Sequence, residues 1–288
     1  MFTARLILIC TLLALSFPLK AADELTHTLK RINDSGQLNL GYRVSQTPMS
    51  FDSGSNRAAG YSVQLCMLIA EAVKNKLELS ELRVNYVPVT AKNRFQAIES
   101  GEIDLLCGAT TKTLSRSEIV GFTQPTFVTG GAILSRKDAP IENLAGLTGK
   151  RVAVTSNTTT IVHLNAALEK LAIGAEVVEV SSTNEGMGML ERSQVDAFAA
   201  DQVILIGQVI SRGGRDSYML SEELFSFEPF ALALQRGDAD FRLLADRVLS
   251  GLYRSGAIVK IYKRWFGSFG EKPPGMLSAL YQLHATPP

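Results

Sequence analysis

Strand-like and helix-like segments alternate twice along this chain, and that alternation confines it to a mainly parallel α/β architecture with right-handed crossovers. Residues 38–43 read as a first strand. Gly60-Tyr-Ser opens a helix whose apolar positions Val63, Leu65, Cys66, Leu68, Ile69 and Val73 recur at helical spacing. Residues 83–89 alternate like a second strand, and Thr90 and Asn93 suit the start of a helix over 95–100 that Gly101 stops. Residues 104–107 complete the series. A second series follows: strands over 150–155, 175–180 and 195–201, with helices over 158–171, 184–192 and 204–210. Residues 228–234 read as a strand returning to the first series, followed by amphipathic helices around 241–252 and 256–267; the proline-containing tail after Lys272 is expected to be irregular. Two series with a return suit two lobes joined by crossovers near 122–127 and 225–230, both rich in Phe and Pro. A single doubly wound domain fits the same pattern.

Composition narrows the function classes. The 288 residues are 46% hydrophobic, enough for a packed core, and Lys+Arg 29 against Asp+Glu 28 argues against a nucleic-acid surface or a polybasic membrane patch. Arg5, a short apolar run over 6–15 and Lys20-Ala21-Ala22 form a signal peptide over residues 1–22, so the expectation is an exported, periplasmic protein. Ile9 is too large to precede a lipidated Cys10. Cys66 and Cys107 remain, either as a disulfide or as free buried thiols. Neither they nor the three histidines have metal-ligand spacing, and no cofactor is expected.

Candidate site residues cluster at predicted strand ends, where open α/β sheets bind ligands. The loop Cys107-Gly-Ala-Thr-Thr offers small residues, hydroxyls and backbone donors through Gly108, Ala109 and Thr110. Arg43 ends the first strand and Arg94 begins a helix; two planar guanidinium forks suit a ligand with two carboxylates, the alternative being solvated surface arginines. Thr155, Thr158 and Thr159 lie where a helix N-terminus follows a strand, an anion site or a plain cap. Asp201 ends another strand, where it either holds an ammonium or caps the next helix. Trp265 reads as core, and His27 and His163 as surface residues.

The loop after Cys107, the segment Gly41-Tyr-Arg43 followed by Pro48 and Phe51, and Val87-Pro-Val-Thr-Ala-Lys-Asn-Arg94 together resemble periplasmic solute-binding proteins of the polar amino-acid family (family 3), closest to the glutamate/aspartate-binding branch. The resemblance implies a hinged two-lobe type II fold, each lobe a mainly parallel sheet flanked by helices. Lobe 1 would comprise residues 23–125 and 228–288, and lobe 2 residues 126–227. It implies that Arg43 holds a ligand side-chain carboxylate and that Arg94, with Arg116 as the alternative, clamps the α-carboxylate. It also sets the helix start at Thr155–Thr159 against the carboxylates and gives Asp201 the α-ammonium. Ala91 and Ala109 stand where the branch has serines, and Glu185 where a histidine would face the ligand. A carboxylate there repels an acidic ligand unless it is protonated, paired with an arginine or turned away; otherwise an amide such as glutamine, or another polar solute, is preferred. The implied function is a monomeric receptor that delivers a polar, acidic amino acid to an inner-membrane ABC permease. The alternatives are a cyclohexadienyl dehydratase-like periplasmic enzyme with Glu185 as general acid, and a sensor signalling through a separate partner.

Overall fold

The computed structural model describes residues 25–54, 57–270 and 272–288. The expected signal peptide lies outside them. Two five-stranded sheets share one plan. The first runs in the order Arg83–Pro88, Gln37–Tyr42, Leu105–Cys107, Ala233–Leu234, Gly121–Phe122. The second runs Glu176–Val180, Arg151–Thr155, Ala197–Asp201, Gly131–Arg136, Tyr218–Leu220. In each, three strands are parallel and the fourth runs antiparallel to both neighbours. That reversed strand is, in both sheets, the one that follows a crossing from the other lobe.

Each sheet is covered on both faces, so its middle strand is an apolar run, Leu105–Cys107 in the first and residues 197–200 in the second. Leu105 and Cys107 point into one core with Leu38, Leu40, Leu65, Ile69, Phe241 and Leu249, while Leu106 between them points into a second core with Ile98, Ile103 and Phe122. Ala153 and Phe198 face one core of the other lobe, and Val152, Val154, Ala197 and Ala199 face its opposite. The period-2 alternation of a strand thus serves two helical layers at once.

The lobes are joined by Phe127–Thr129 and Glu228–Phe230, which pair antiparallel. This ribbon is rooted in lobe 1. Phe127 stacks on Phe230 at 6.2 Å and on Phe266 at 5.0 Å, and Tyr61 Oη donates to the Thr126 carbonyl at 2.8 Å.

Two features depart from the sequence expectations, and one that the sequence left open is settled. Residues 228–234 are not one strand: Glu228–Phe230 belongs to the hinge and Ala233–Leu234 to the first sheet. The tail is not irregular, because Gly275–Leu283 forms a helix that buries Leu277 and Tyr281 against lobe 1; Pro273 and Pro274 precede that helix rather than interrupt it. Cys66 and Cys107, left open by the sequence, form a disulfide. It closes a loop across a sequence separation of 41, which in the chain-entropy model stabilises the fold by about 4 kcal/mol.

Candidate functional site

Strand register brings the expected residues to two facing edges. Tyr42 is level with Pro88 and Cys107, so Arg43 and Gly108 leave the first sheet side by side at its carboxyl edge. Thr155 is level with Val180, and Val154 with Ala199, which sets Asp201 just beyond Thr155 on the carboxyl edge of the second sheet. The side chains of Arg43, Gln46 and Thr110 converge on Gly108. A methyl group there would lie 3.2 Å from Arg43 Cγ and 3.4 Å from Gln46 Oε1.

Lobe 1 presents three buried or largely buried arginines. Arg43 is 5% exposed; its amide donates to Ser50 Oγ, and its guanidinium makes no hydrogen bond among the described residues. Burial pushes its pKa down to about 10. Arg94, 3% exposed, begins the helix Arg94–Glu99 and donates to the Ala91 carbonyl and, across the cleft, to the Asn157 carbonyl of lobe 2 at 3.0 Å. Burial first, then the charges of Arg116 and Arg43, push its pKa down to about 9. Arg116 donates to the Thr111 carbonyl at 2.8 Å, and the Phe95 ring lies 4.4 Å from the Arg94 guanidinium and 5.4 Å from that of Arg116. All three remain cationic at neutral pH. Crowded cations out of water are stabilised by an anion brought between them.

Lobe 2 and the hinge present the opposite charge. Asp201 Oδ1 is buried and, among the described residues, has no hydrogen-bond partner. Burial, then the neighbouring Glu228 charge, raises the Asp201 pKa well above its ordinary value, with Arg116 opposing. Glu228, at the start of the return hinge strand, is fully buried, and it escaped the sequence reading. Its carboxylate accepts from Thr111 Oγ1 at 2.6 Å, Thr159 Oγ1 at 2.7 Å and Ser226 Oγ at 2.7 Å, and His163 Nε2 lies 3.8 Å away. His163 is thus half-exposed but faces the hinge carboxylate. Gln46, also unread, accepts from the Ala109 amide at 3.1 Å and fixes the loop after Cys107.

The threonine cluster divides its work. Thr158 caps the helix Thr159–Lys170 by accepting from the Ile161 amide and donates to the Thr155 carbonyl at 2.6 Å. Thr110 Oγ1 is buried without a partner. Glu185 does not join the other predicted site residues. It is exposed, its carboxylate accepts from the Ser181 amide at 2.8 Å and from the Ser181 hydroxyl, and its own amide donates to Ser182 Oγ. Those bonds to Ser181 hold its pKa below the usual value. The signal was local: Ser182-x-x-Glu185 at a helix start is a capping box pattern.

The lobes touch directly away from the hinge. Gln208 Nε2 donates to the Ser45 carbonyl at 2.9 Å, and a methyl group on Gly207 would overlap the Thr47 carbonyl and lie 2.7 Å from Pro48 Cδ.

This geometry has counterparts in known proteins. A family model for bacterial extracellular solute-binding proteins, family 3, matches residues 38–268. The L-glutamate/L-aspartate-binding protein of Pseudomonas aeruginosa is 34% identical over 246 residues, covering 85% of this chain and 82% of the relative. The glutamate/aspartate import solute-binding protein of Escherichia coli K12 is 30% identical over 275 residues, covering 94% and 90%. Among solved structures, an ancestral arginine-binding protein bound to arginine superimposes with a TM-score of 0.71 at 26% identity, covering 81% of this chain and 99% of that one.

Proposed function

The chain belongs to the bacterial extracellular solute-binding proteins of family 3, and on that premise we propose that it is the periplasmic receptor of an amino-acid ABC transporter, closing two lobes on an acidic amino acid of the glutamate/aspartate type. Binding, not catalysis, is its activity. One observation carries the ligand class: buried arginines on one edge of the cleft face, on the other, Asp201, whose Oδ1 is buried and, among the described residues, unpartnered. A zwitterion with a second carboxylate satisfies both edges at once.

In this assignment Arg43 holds the side-chain carboxylate, because among the described residues its guanidinium, unlike those of Arg94 and Arg116, makes no hydrogen bond. Arg94 takes the α-carboxylate, with Arg116 beside it. Gly108, Ala109 and Thr110 line the lobe 1 loop. From lobe 2, the backbone amides at the helix start after Thr155, those of Thr158 and Thr159 among them, complement the carboxylates, and Asp201 receives the ammonium. Glu185 has no ligand role here: a side chain exposed and hydrogen-bonded to Ser181 neither repels an acidic ligand in the cleft nor serves as a general acid, which needs a raised pKa. Strict monomers, as a hinge requires both lobes free, would deliver the closed form to the permease.

Calorimetric titration of protein unfolded and refolded to strip ligand tests the assignment. L-glutamate or L-aspartate should bind, and ligand at 100 times its dissociation constant should add about 2.7 kcal/mol of stability. Failure to bind any amino acid or small dicarboxylate would overturn it.

A further inference from the structure

Glu228 is a fully buried carboxylate on the strand where the lobes join, and its bonding pattern has a consequence for the ligand. The three hydroxyls around it come from three places: Thr111 from the lobe 1 loop, Thr159 from the lobe 2 helix start, Ser226 from the chain just before the hinge. Each hydroxyl has a single proton and two lone pairs. Ser226 shows the result, donating to Glu228 at 2.7 Å while accepting from the Gly131 amide at 2.9 Å. Thr111 gives its proton to Glu228 Oε2 at 2.6 Å, and Thr159 spends its one proton inside the same cluster, on that oxygen at 2.7 Å or on Thr111 Oγ1 at 3.2 Å. Toward anything else, both are acceptors only. Asp201, whose carboxyl feels the charge of Glu228, has its Oδ1 buried and, among the described residues, without a partner.

Acceptors that cannot donate are matched by a group that donates and cannot accept, and a protonated amine is such a group. Resting on the reading of the cleft as an amino-acid site, we propose that Glu228 is a positioning residue for the ligand's ammonium: by taking the hydroxyl protons of Thr111 and Thr159 it fixes both as acceptors, and the site thereby selects amino acids over dicarboxylates of the same length that lack the amine. Glu228 acts through the two threonines, without touching the ligand. It also corrects the expected part of Thr159, whose hydroxyl faces a carboxylate already in the protein and serves the cationic end of the ligand.

The test is discrimination, not affinity alone. Calorimetry on the purified protein would compare L-glutamate with glutarate, L-aspartate with succinate, and L-glutamine with 4-carbamoylbutanoate. The unmodified protein should favour each amine-bearing ligand it binds by about 100-fold or more. In Glu228→Gln, a side chain of equal size whose amide donates to one threonine, amino-acid affinity should fall about 10- to 100-fold while the des-amino acid binds as before, so the ratio collapses. Thr159→Val removes one acceptor, leaves Glu228 in place and should shrink the same ratio; it decides the matter if Glu228→Gln does not fold. A structural role alone would lower the melting temperature, or weaken both ligands equally, with the ratio unchanged in both variants, and that result overturns the proposal. An unmodified protein that binds no amino acid overturns the receptor assignment itself and is distinguished by its failure before any variant is made.

Discussion

The two edges that face each other across the cleft are built alike and charged oppositely. Both are carboxyl edges of sheets with the same strand order. The lobe 1 edge carries Arg43, Arg94 and Arg116, and its loop is braced covalently, since Cys107 in the disulfide immediately precedes Gly108. The edge formed by lobe 2 and the hinge carries Asp201 and Glu228 and is braced by hydroxyls and helix caps. One strand plan repeated twice supplies the cleft; the residues placed after each strand decide what fills it. In the proposed assignment the arginines of lobe 1, helped by backbone amides of lobe 2, take the anionic groups of the ligand, while Asp201 and the threonines that Glu228 orients take its cation.

Removing charge from either edge should break this division in different ways. Arg43→Met should cost about 4 kcal/mol of binding, roughly a thousandfold, equally for an acidic amino acid and its des-amino counterpart, by calorimetry. A variant that spares glutamate would remove Arg43 from the site. Cys66→Ala with Cys107→Ala should cost about 3–4 kcal/mol of stability and lower the melting temperature by roughly 10 °C, because the brace is confined to lobe 1. An unchanged melting temperature would mean that the disulfide adds nothing.

Closure comes next. Gly207→Ala places a methyl on the Thr47 carbonyl of the opposite lobe and should weaken every ligand about tenfold, without lowering the ligand-free melting temperature. Small-angle scattering should then show less ligand-induced compaction than in the unmodified protein. Gly207 tests how the edges meet, independently of their charge.

Asp201 gives a pH signature. Its folded pKa is raised by burial, so the unliganded carboxyl keeps its proton above the ordinary value of 3.8. The stability it contributes is full below that value and is lost as pH rises through the folded pKa. An ammonium favours the ionised form, so binding between those limits releases a proton, and affinity rises with pH across the window. Calorimetry in two buffers of different ionisation enthalpy at mildly acid pH should detect the release, and Asp201→Asn should abolish it. The smallest effect is expected of Glu185→Gln, which should leave affinity within about twofold, as befits an exposed cap.

Much of this was legible in the sequence, and the reasons are local. Alternating periodicities revealed both sheets, and strand ends located Arg43, Thr155 and Asp201. The C-terminal helix was missed because prolines before Gly275 read as loop, although Leu277 and Tyr281 stand at helical spacing. Glu228 was not legible. Its partners Thr111 and Thr159 are 117 and 69 residues away; the Phe- and Pro-rich segment around 225–230 reads as a crossover between lobes, but nothing in it ties the carboxylate to hydroxyls so distant in the chain. Glu185 is the opposite case: the capping pattern Ser182-x-x-Glu185 is legible beside it and suits a side chain turned away, one of the alternatives left open by the sequence.

The central claim is that a single ligand spans the cationic and anionic edges. A crystal structure of the protein with L-glutamate tests this most directly. The account predicts one carboxylate on the Arg43 guanidinium and the ammonium within hydrogen-bonding distance of Asp201 Oδ1, with the Thr111 and Thr159 oxygens turned toward it. A ligand whose ammonium lies away from Asp201, or whose carboxylates leave Arg43 unpaired, would contradict it.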